Sequence, residues 1–434
     1  MTRKRQPVAE VIPPSVDLTG FACPNEDCCD FNRFAAGNLS VCERMGKGQA
    51  IRRLYCKSCG LRFSERQGSL MARSKLPEET VVRIVKCLGY GCSMEATADI
   101  CEVDPRTVEL LLSKAGPRAE DFHRLQVERL AEPIPAVEID ELHAPLASPK
   151  KGENPVLALG EPSASTAGES RRRRGSTWIH VALATAARFV IDLRLGPRTL
   201  ASARELLASV AEWCRPGQPL LIEADEHRPY PQAILDLFGV TRFRRRRRGH
   251  GRFKHPDLKP PPGLLVGVVL KVRDAGGNIV RVMTRRLFGR RRDILKLLHR
   301  LKLGRRINTG HIERLNGTMR TQQTRMARRT RNVSHAATAL HFALQLWRDI
   351  YHWVHPHHSL SGRTPAMAMG LADRAWSVRD YMHYPVPVAT WQRALWAEHR
   401  EKLLTTGLNG QKHRKPDTLA SLLGFDDNTA AEFM

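Results

Sequence analysis

The 434-residue chain has no apolar run near the roughly 18 residues that a bilayer crossing needs. One of its longest apolar stretches, His180–Ile191, is short and already carries Arg188. The basic start, MTRKRQPVAEVIPP, lacks the apolar stretch of a secretory signal. A membrane span and secretion are therefore not expected, and the expected compartment is the cytoplasm. Acidic residues are also scarce: 44 Asp plus Glu stand against 70 Lys plus Arg, a formal net charge of +26. Such an excess draws the chain to a polyanion, either nucleic acid or an anionic membrane surface. No internal repeat is visible. What is present is an ordinary hydrophobic fraction, 42%, which excludes wholesale disorder. The length suits two or three domains. In a reducing compartment the 10 cysteines are expected to be thiols or metal ligands, not disulfides.

The cysteines cluster. Six lie between residues 23 and 59, three between 87 and 101, and the last is Cys214. Residues 1–20 read as a flexible basic leader and 21–70 as a Cys-rich, turn-rich module. Residues 76–125 read as helical, with Val81, Val82, Ile84, Val85 and Leu88 at helical spacing. From Pro135 short β-branched runs alternate with amphipathic stretches. The expected strands are Ala136–Ile139, Trp178–Ala184, Phe189–Leu195, Leu220–Ala224, Leu264–Val272 and Ile279–Thr284, with a helix over Leu200–Cys214. This is a mixed α/β pattern. Two basic, turn-rich insertions interrupt it, 147–174 (closed by Arg171–Arg174) and 242–263 (holding Arg244–Arg248). An Asp-Ala-Gly-Gly turn covers 274–277, and Arg291 to about His352 reads as helical. The tail 371–434 is helical in part, over Trp391–Leu404, and carries no recognisable chemistry.

Cys23-Pro-Asn-Glu-Asp-Cys28 and Cys56-Lys-Ser-Cys59-Gly60 are two short pairs with 27 residues between them. Two tight turns, each holding two thiolates, supply the tetrahedral site that Zn²⁺ prefers. Cys23, Cys28, Cys56 and Cys59 are the expected ligands, with Cys29 as the alternative to Cys28. Four thiolates leave no open position, so the ion would be structural, and so apolar-poor a module needs it to fold. In the helical stretch that follows, Gly91 can end one helix and Ser93 can cap the next. That second helix runs to about Cys101, Glu102-Val103 turn, and Asp104 caps a third helix with Pro105 at its first position. Two helices joined this closely describe a helix-turn-helix. Arg106 and Thr107 would then meet base edges or phosphates.

Three acids have unusual settings. Asp140 ends the apolar run AVEI, Asp225 follows PLLIEA, and Glu313 lies in the basic helical segment INTGHIERLNGTMR. Carboxylates at strand ends and on a facing helix can converge. Three of them would bind hard divalent cations, and two such ions cut and join phosphodiesters.

The order of these parts resembles the DDE transposases of bacterial insertion sequences. The residues that carry the resemblance are the Cys pairs, the paired helices, Asp140-Glu141, Asp225-Glu-His-Arg-Pro-Tyr230, and Asn308-Thr-Gly-His-Ile-Glu313-Arg-Leu-Asn316. The runs Arg320–Ser334 and His355–Ala366 are also similar to that family. The resemblance implies a multidomain α/β protein: zinc ribbon, helix-turn-helix, then an RNase H-like catalytic domain over 133–370 with basic insertions. It implies strand cleavage by water and strand transfer by the freed 3′-hydroxyl, with two Mg²⁺ or Mn²⁺ ions on Asp140, Asp225 and Glu313. Asn316 lies on the helix face of Glu313 and is expected to support the site. Tyr230 is expected to pack rather than to react. Arg314, Arg320, Arg325, Arg328 and Arg329 are expected to face phosphates, and the implied partner is double-stranded DNA, as element ends and target. A homo-oligomer on paired ends, no membrane, and a place on the bacterial nucleoid in the cytoplasm complete the expectation. The gap of 87 residues between Asp225 and Glu313 is longer than in compact members, and the insertion at 242–263 accounts for it.

Three rivals stand beside this reading. His311-Ile-Glu-Arg314 matches the His-x-x-Arg pattern of tyrosine recombinases, with Tyr351 or Tyr381 as nucleophile and no metal. A zinc-ribbon and helix-turn-helix regulator would use its α/β part only to dimerise. An RNase H-like nuclease or junction resolvase would cut without strand transfer.

Overall fold

The computed structural model describes residues 17–146, 176–213, 218–242, 257–328, 330, 332–334 and 336–409. The leader before residue 17, the loop expected at 147–174, Cys214, Arg244–Arg248, Arg329 and the tail beyond 409 lie outside the described residues. The chain divides into two units. One comprises Met1–Leu76 with Met382–Arg393, and the other Pro77–Tyr381 with Ala394–Met434.

The first unit has little apolar material. Its strands β1 (Leu39–Met45), β2 (Ile51–Cys56) and β3 (Arg62–Ser64) form an antiparallel sheet in that order. The returning segment is tied to it through backbone bonds. Leu70 N–H donates to Met382 O at 3.0 Å and Val386 N–H to Gly68 O at 3.1 Å. Thr390 N–H donates to Glu26 Oε2 at 3.0 Å, and the Phe31 and Trp391 rings meet at 6.3 Å.

The second unit opens with α1 (Glu78–Gly89), α2 (Met94–Cys101) and α3 (Pro105–Val127). Their ends follow local chemistry. Ser93 Oγ accepts the Ala96 N–H at 3.0 Å, and Asp104 Oδ1 accepts the Arg106 N–H at 2.8 Å. Gly91 takes φ +83°, and a Cβ there would fall 1.7 Å from Gln322 O, so only glycine fits this turn. Apolar residues of α3 bury against a later helix, where Arg348 also donates to Ala119 O at 2.9 Å.

The α/β part follows as β4 (Ala136–Pro145), β5 (Ser176–Ala184), β6 (Phe189–Gly196), α4 (Leu200–Glu212), β7 (Leu220–Asp225) and α5 (Pro229–Phe238). Then come the short pair β8 (Val240–Arg242) and β9 (Asp257–Lys259), β10 (Leu264–Arg273), β11 (Ile279–Phe288), α6 (Arg291–Arg300) and α7 (Gly310–Gln322). A 3-10 turn over Thr324–Met326 leads to α8 (Ala337–Trp353), α9 (Pro365–Ala368), α10 (Val378–His383) and α11 (Thr390–Thr406). The main sheet has the order β11-β10-β7-β4-β5-β6. β4, β5 and β6 form an antiparallel meander, β7 runs parallel to β4, β10 parallel to β7, and β11 antiparallel to β10. This mixed α/β sheet fits an RNase H-like core.

Strand alternation gives the sheet two covered faces. Val137, Ile139, Ile222 and Ala224 pack toward α4 and α5 with Leu206, Leu207, Ile234 and Leu237. Leu142, Ile179, Val181 and Leu193 pack toward α7 and α8 with Ile312, Leu315, Leu344 and Trp347. One boundary differs from the sequence reading. β4 continues past Ile139 to Pro145 because β5 pairs with it throughout, with Asp140 opposite Val181. Asp140 therefore lies within a central strand, not at its end. The helical region 291–352 is likewise three helices separated by turns. Among the described residues no helix is long and apolar enough to cross a membrane.

Candidate metal centres

β4 is an inner strand covered on both sides, yet it carries Glu138, Asp140 and Glu141. Buried carboxylates are costly unless each finds partners. Each does. The parallel register pairs Glu138 with Glu223 and Ile139 with Ala224, so Asp140 and Asp225 are the next neighbours along β4 and β7. Asp140 Oδ1 accepts the Glu141 N–H at 2.8 Å, and Oδ2 accepts Asn316 Nδ2–H at 2.7 Å. One oxygen each of Asp140, Glu141 and Asp225 lies within 4.8 Å of the others. Burial and the charge of Asp225 push Asp140 up to about 7. Burial and the charge of Glu141 push Asp225 up to about 6.

Two of the three expected acids thus come together. Glu313 stands beside them: its Oε1 accepts Thr309 Oγ1–H at 3.0 Å and the ammonium of Lys271. The charge of Glu313 helps hold Asp225 up, while that of Lys271 lowers both aspartates. Lys271 is therefore a tethered cation serving the whole acidic group. Asn316, expected as a supporting residue, is bonded directly to Asp140.

Two acids went unread in the sequence, and a third, Glu141, stood there beside Asp140 without a role. Glu141 adjoins Asp140 but is held toward α5, where its oxygens accept Arg198 Nε–H at 2.7 Å and Tyr230 O–H at 2.6 Å. His227 Nδ1 lies 3.3 Å from the same carboxylate, and burial depresses that imidazole to about 4. Tyr230 is fully buried, a packing residue with one hydrogen bond. The other two are Glu138 and Glu223, one register step deeper than the aspartates on the same face. Glu138 accepts from His311 Nδ1 and the Ile312 N–H, both at 2.7 Å, and Glu223 accepts the Asn308 N–H at 3.0 Å. Burial pushes Glu223 up to about 8. Together these two carboxylates bolt the start of α7 to the sheet and so set where Glu313 and Asn316 stand. Their signal was the acid at every second position, Glu138/Asp140 and Glu223/Asp225, in otherwise apolar strands.

The acidic group fits a hard divalent cation. Its carboxylates repel one another, and Asp225 Oδ1 is a buried acceptor with no hydrogen-bond partner among the described residues. The thiol group fits a soft one. Cys23, Cys28, Cys56 and Cys59 converge, with Sγ–Sγ distances of 3.6 Å (Cys23–Cys59) and 3.9 Å (Cys28–Cys56). A tetrahedron with metal–sulfur bonds of about 2.3 Å has edges of about 3.8 Å. Asp30 N–H and Asn38 Nδ2–H point at Cys28 and Cys56 sulfur, at 3.4 and 3.2 Å. Cys29 and Cys42 are exposed outside the group.

Residues 298–365 match the family model described as Integrase core domain. The matched stretch holds α7 with Glu313 and Asn316, and neither aspartate. No curated protein matches the chain in sequence. Among solved structures, the Mos1 transposase paired-end complex with left transposon end aligns at 17% identity and a TM-score of 0.15. It covers 37% of this chain and 58% of the Mos1 chain, so this chain spans less than two thirds of that protein. The piggyBac transposase synaptic complex with hairpin DNA aligns at 10% identity and a TM-score of 0.31, over 80% of this chain and 78% of that one.

The expected DNA contacts divide. Arg106 is exposed at the start of α3 with Thr107 half-buried beside it, and Arg314 and Arg328 are exposed with Arg320 half-buried. Arg325 is a correction: it is buried, with Glu95 as its charged neighbour, because α7 ends at Gln322 and the following turn carries it inward. The tyrosine-recombinase rival finds neither of its candidate nucleophiles exposed. Tyr351 and Tyr381 are both buried, Tyr381 O–H donates to Asp349 Oδ2 at 2.8 Å, and His311 is engaged by Glu138.

Proposed function

We propose that the chain is a DDE transposase of the insertion-sequence type, which binds element ends as duplex DNA and cuts and joins strands. The observation that carries this is the side-by-side placement of Asp140 and Asp225, with Asn316 of α7, inside the integrase-core match, bonded to Asp140. Asp140 and Asp225 would hold the catalytic ions, Mg²⁺ or Mn²⁺, and Glu313, released by Lys271, would supply the third carboxylate. Held there, such ions would supply activation of the attacking water or 3′-hydroxyl and stabilisation of the leaving oxygen. Asn316 fixes the orientation of Asp140, while Glu138 and Glu223 hold α7 against the sheet. Arg314, Arg320 and Arg328 bind backbone phosphates. Arg106 and Thr107 lead a recognition helix, α3, of a helix-turn-helix formed with α2. Cys23, Cys28, Cys56 and Cys59 bind a structural Zn²⁺. The working form is a homo-oligomer on paired ends, acting on DNA in the bacterial cytoplasm.

The test uses the full chain and a duplex taken from the flanks of its coding region. Wild-type protein nicks it with Mg²⁺ or Mn²⁺ and not with EDTA. Asp140→Asn, Asp225→Asn and Glu313→Gln each lose cleavage while retaining binding in EDTA. Cleavage near the wild-type rate by any of them removes that residue from the site, and absence of metal-dependent cleavage by the wild type overturns the enzymatic reading.

A further inference from the structure

We propose that the free end of the β10–β11 hairpin is a docking ribbon for duplex DNA, laid in a groove beside the carboxylate site. The site it serves rests on the transposase reading, and the ribbon has its own evidence. β11 is the edge strand of the main sheet. Every residue from Val272 to Val282 is exposed, on both faces of the hairpin. A projecting hairpin that met only water would be polar. This one exposes Val272 (40%), Ile279 (47%), Val280 (61%) and Val282 (58%). Lys271, Arg273, Arg281, Arg285 and Arg286 are interleaved with them. The single acid, Asp274, is spent within the turn, accepting Asn278 N–H at 2.8 Å and Asn278 Nδ2–H at 3.2 Å.

The charge decides the occupant. Lys271 is paired with Glu313 and Arg285 with Glu226, which leaves Arg273, Arg281 and Arg286 against one acid; a second copy of the same hairpin would be repelled, because like charges would face each other across the new pairing. Duplex DNA offers anionic rails with base edges and thymine methyls between them, and its major groove admits a two-stranded β-ribbon. The placement agrees. Val269 pairs with Asp225, and Lys271 pairs with Val282, so Lys271, Val282 and the aspartates share one face of the sheet. Lys271 itself reaches Glu313. From Val269 to the tip the strand extends roughly 20 Å. A duplex held at the carboxylates therefore runs onto the ribbon, where Val280 and Val282 meet the groove, Arg286 on the aspartate face meets the phosphates of one rail, and Arg281, opposite Val272 on the other face, those of the second.

The test is fluorescence anisotropy of a labelled duplex of arbitrary sequence with the full chain in EDTA, across a salt series. Arg281→Glu/Arg286→Glu weakens binding roughly tenfold or more and flattens the log–log salt slope by about 2. Val280→Ser/Val282→Ser weakens binding without changing the slope. Both variants keep the wild-type unfolding midpoint, since these side chains are exposed. Wild-type affinity and slope in both variants overturn the proposal. So does equal, equally weakened binding of duplex RNA, whose deep, narrow major groove excludes such a ribbon. Loss of concentration-dependent self-association, with DNA binding intact, assigns the ribbon to a second copy and also overturns it. Cleavage is scored separately. A wild-type chain that needs its ribbon to bind but never cleaves leaves the ribbon standing without the transposase. One that cleaves while ribbon variants bind normally leaves the transposase without the ribbon.

Discussion

Glu138 and Asp225 are carboxylates on neighbouring strands with opposite energetic roles. Glu138 is wholly shielded from water, and both its oxygens accept N–H groups from the start of α7. Charge-assisted bonds of this kind are strong, and removing the acceptor strands the donors. Glu138→Gln keeps the shape but turns an amide NH₂ toward one of those donors. Asp225 has a buried oxygen with no partner among the described residues and is pushed up by burial and by Glu141. In metal-free protein Asp225→Asn relieves that crowding. Urea unfolding in EDTA is expected to show Glu138→Gln destabilised by about 2–3 kcal/mol. The same measurement is expected to show Asp225→Asn stabilised by about 1–2 kcal/mol, as functional acids often are when neutralised. If both shifts had the same sign, the division between anchoring and metal-holding acids would be wrong.

At the scale of elements, β1, β2 and β3 are too short and too polar to hold together by burial alone. The cluster under them is Cys23, Cys28 and Cys56, with Leu39 and Cys59 against it. Burial pushes the Cys28 thiol up to about 11, so without a cation it is packed as a neutral thiol, whereas at Cys59 hydrogen bonding outweighs burial and brings the thiol down to about 7. A metal that draws off the thiol protons would supply the folding energy instead. Cys56→Ser is expected to abolish zinc binding, measured by atomic absorption, and to render residues 21–70 protease-sensitive. Stoichiometric zinc in that variant would remove Cys56 from the ligand set. This module was legible because its determinants are local: two thiols per turn, a few residues apart. The caps Ser93 and Asp104 were legible for the same reason. The pairing of Asp140 with Asp225 came through family resemblance, since the strand-end reading holds for Asp225 and not for Asp140. The anchoring role of Glu138 was not legible, since its partners lie 173 and 174 residues away and its alternation with Asp140 is all that marks it locally. Arg325 was misread because helical spacing was continued past Gln322, where the helix has already ended.

Across the whole molecule the excess of 26 positive charges makes proton uptake a stability question. His123 and His352 are buried against Phe189, with ring centroids 5.5 and 3.9 Å from it and 5.7 Å from each other. His123 Nε2 lies 2.8 Å from Ile191 O and donates to it, whereas His352 Nε2 accepts the Val190 N–H at 2.8 Å. Each ring is thus fixed as a neutral tautomer, and burial holds both well below their ordinary value of 6.5. A depressed histidine takes up its proton only on unfolding. Its contribution is therefore complete above pH 6.5 and lost as pH falls below it. Glu223 and Asp349, pushed up to about 8 and about 6, work in the opposite direction, because the folded chain protonates them first. The net curve of the wild type is accordingly shallow, and the histidine term is isolated by difference. His352→Asn can still accept the Val190 N–H but cannot titrate. Its stability deficit against the wild type is expected to shrink by about 1.4 kcal/mol per pH unit as the pH is lowered from 6.5 toward about 5. Parallel urea-unfolding curves over that interval would mean that His352 is already protonated in the folded chain, which the Val190 hydrogen bond forbids.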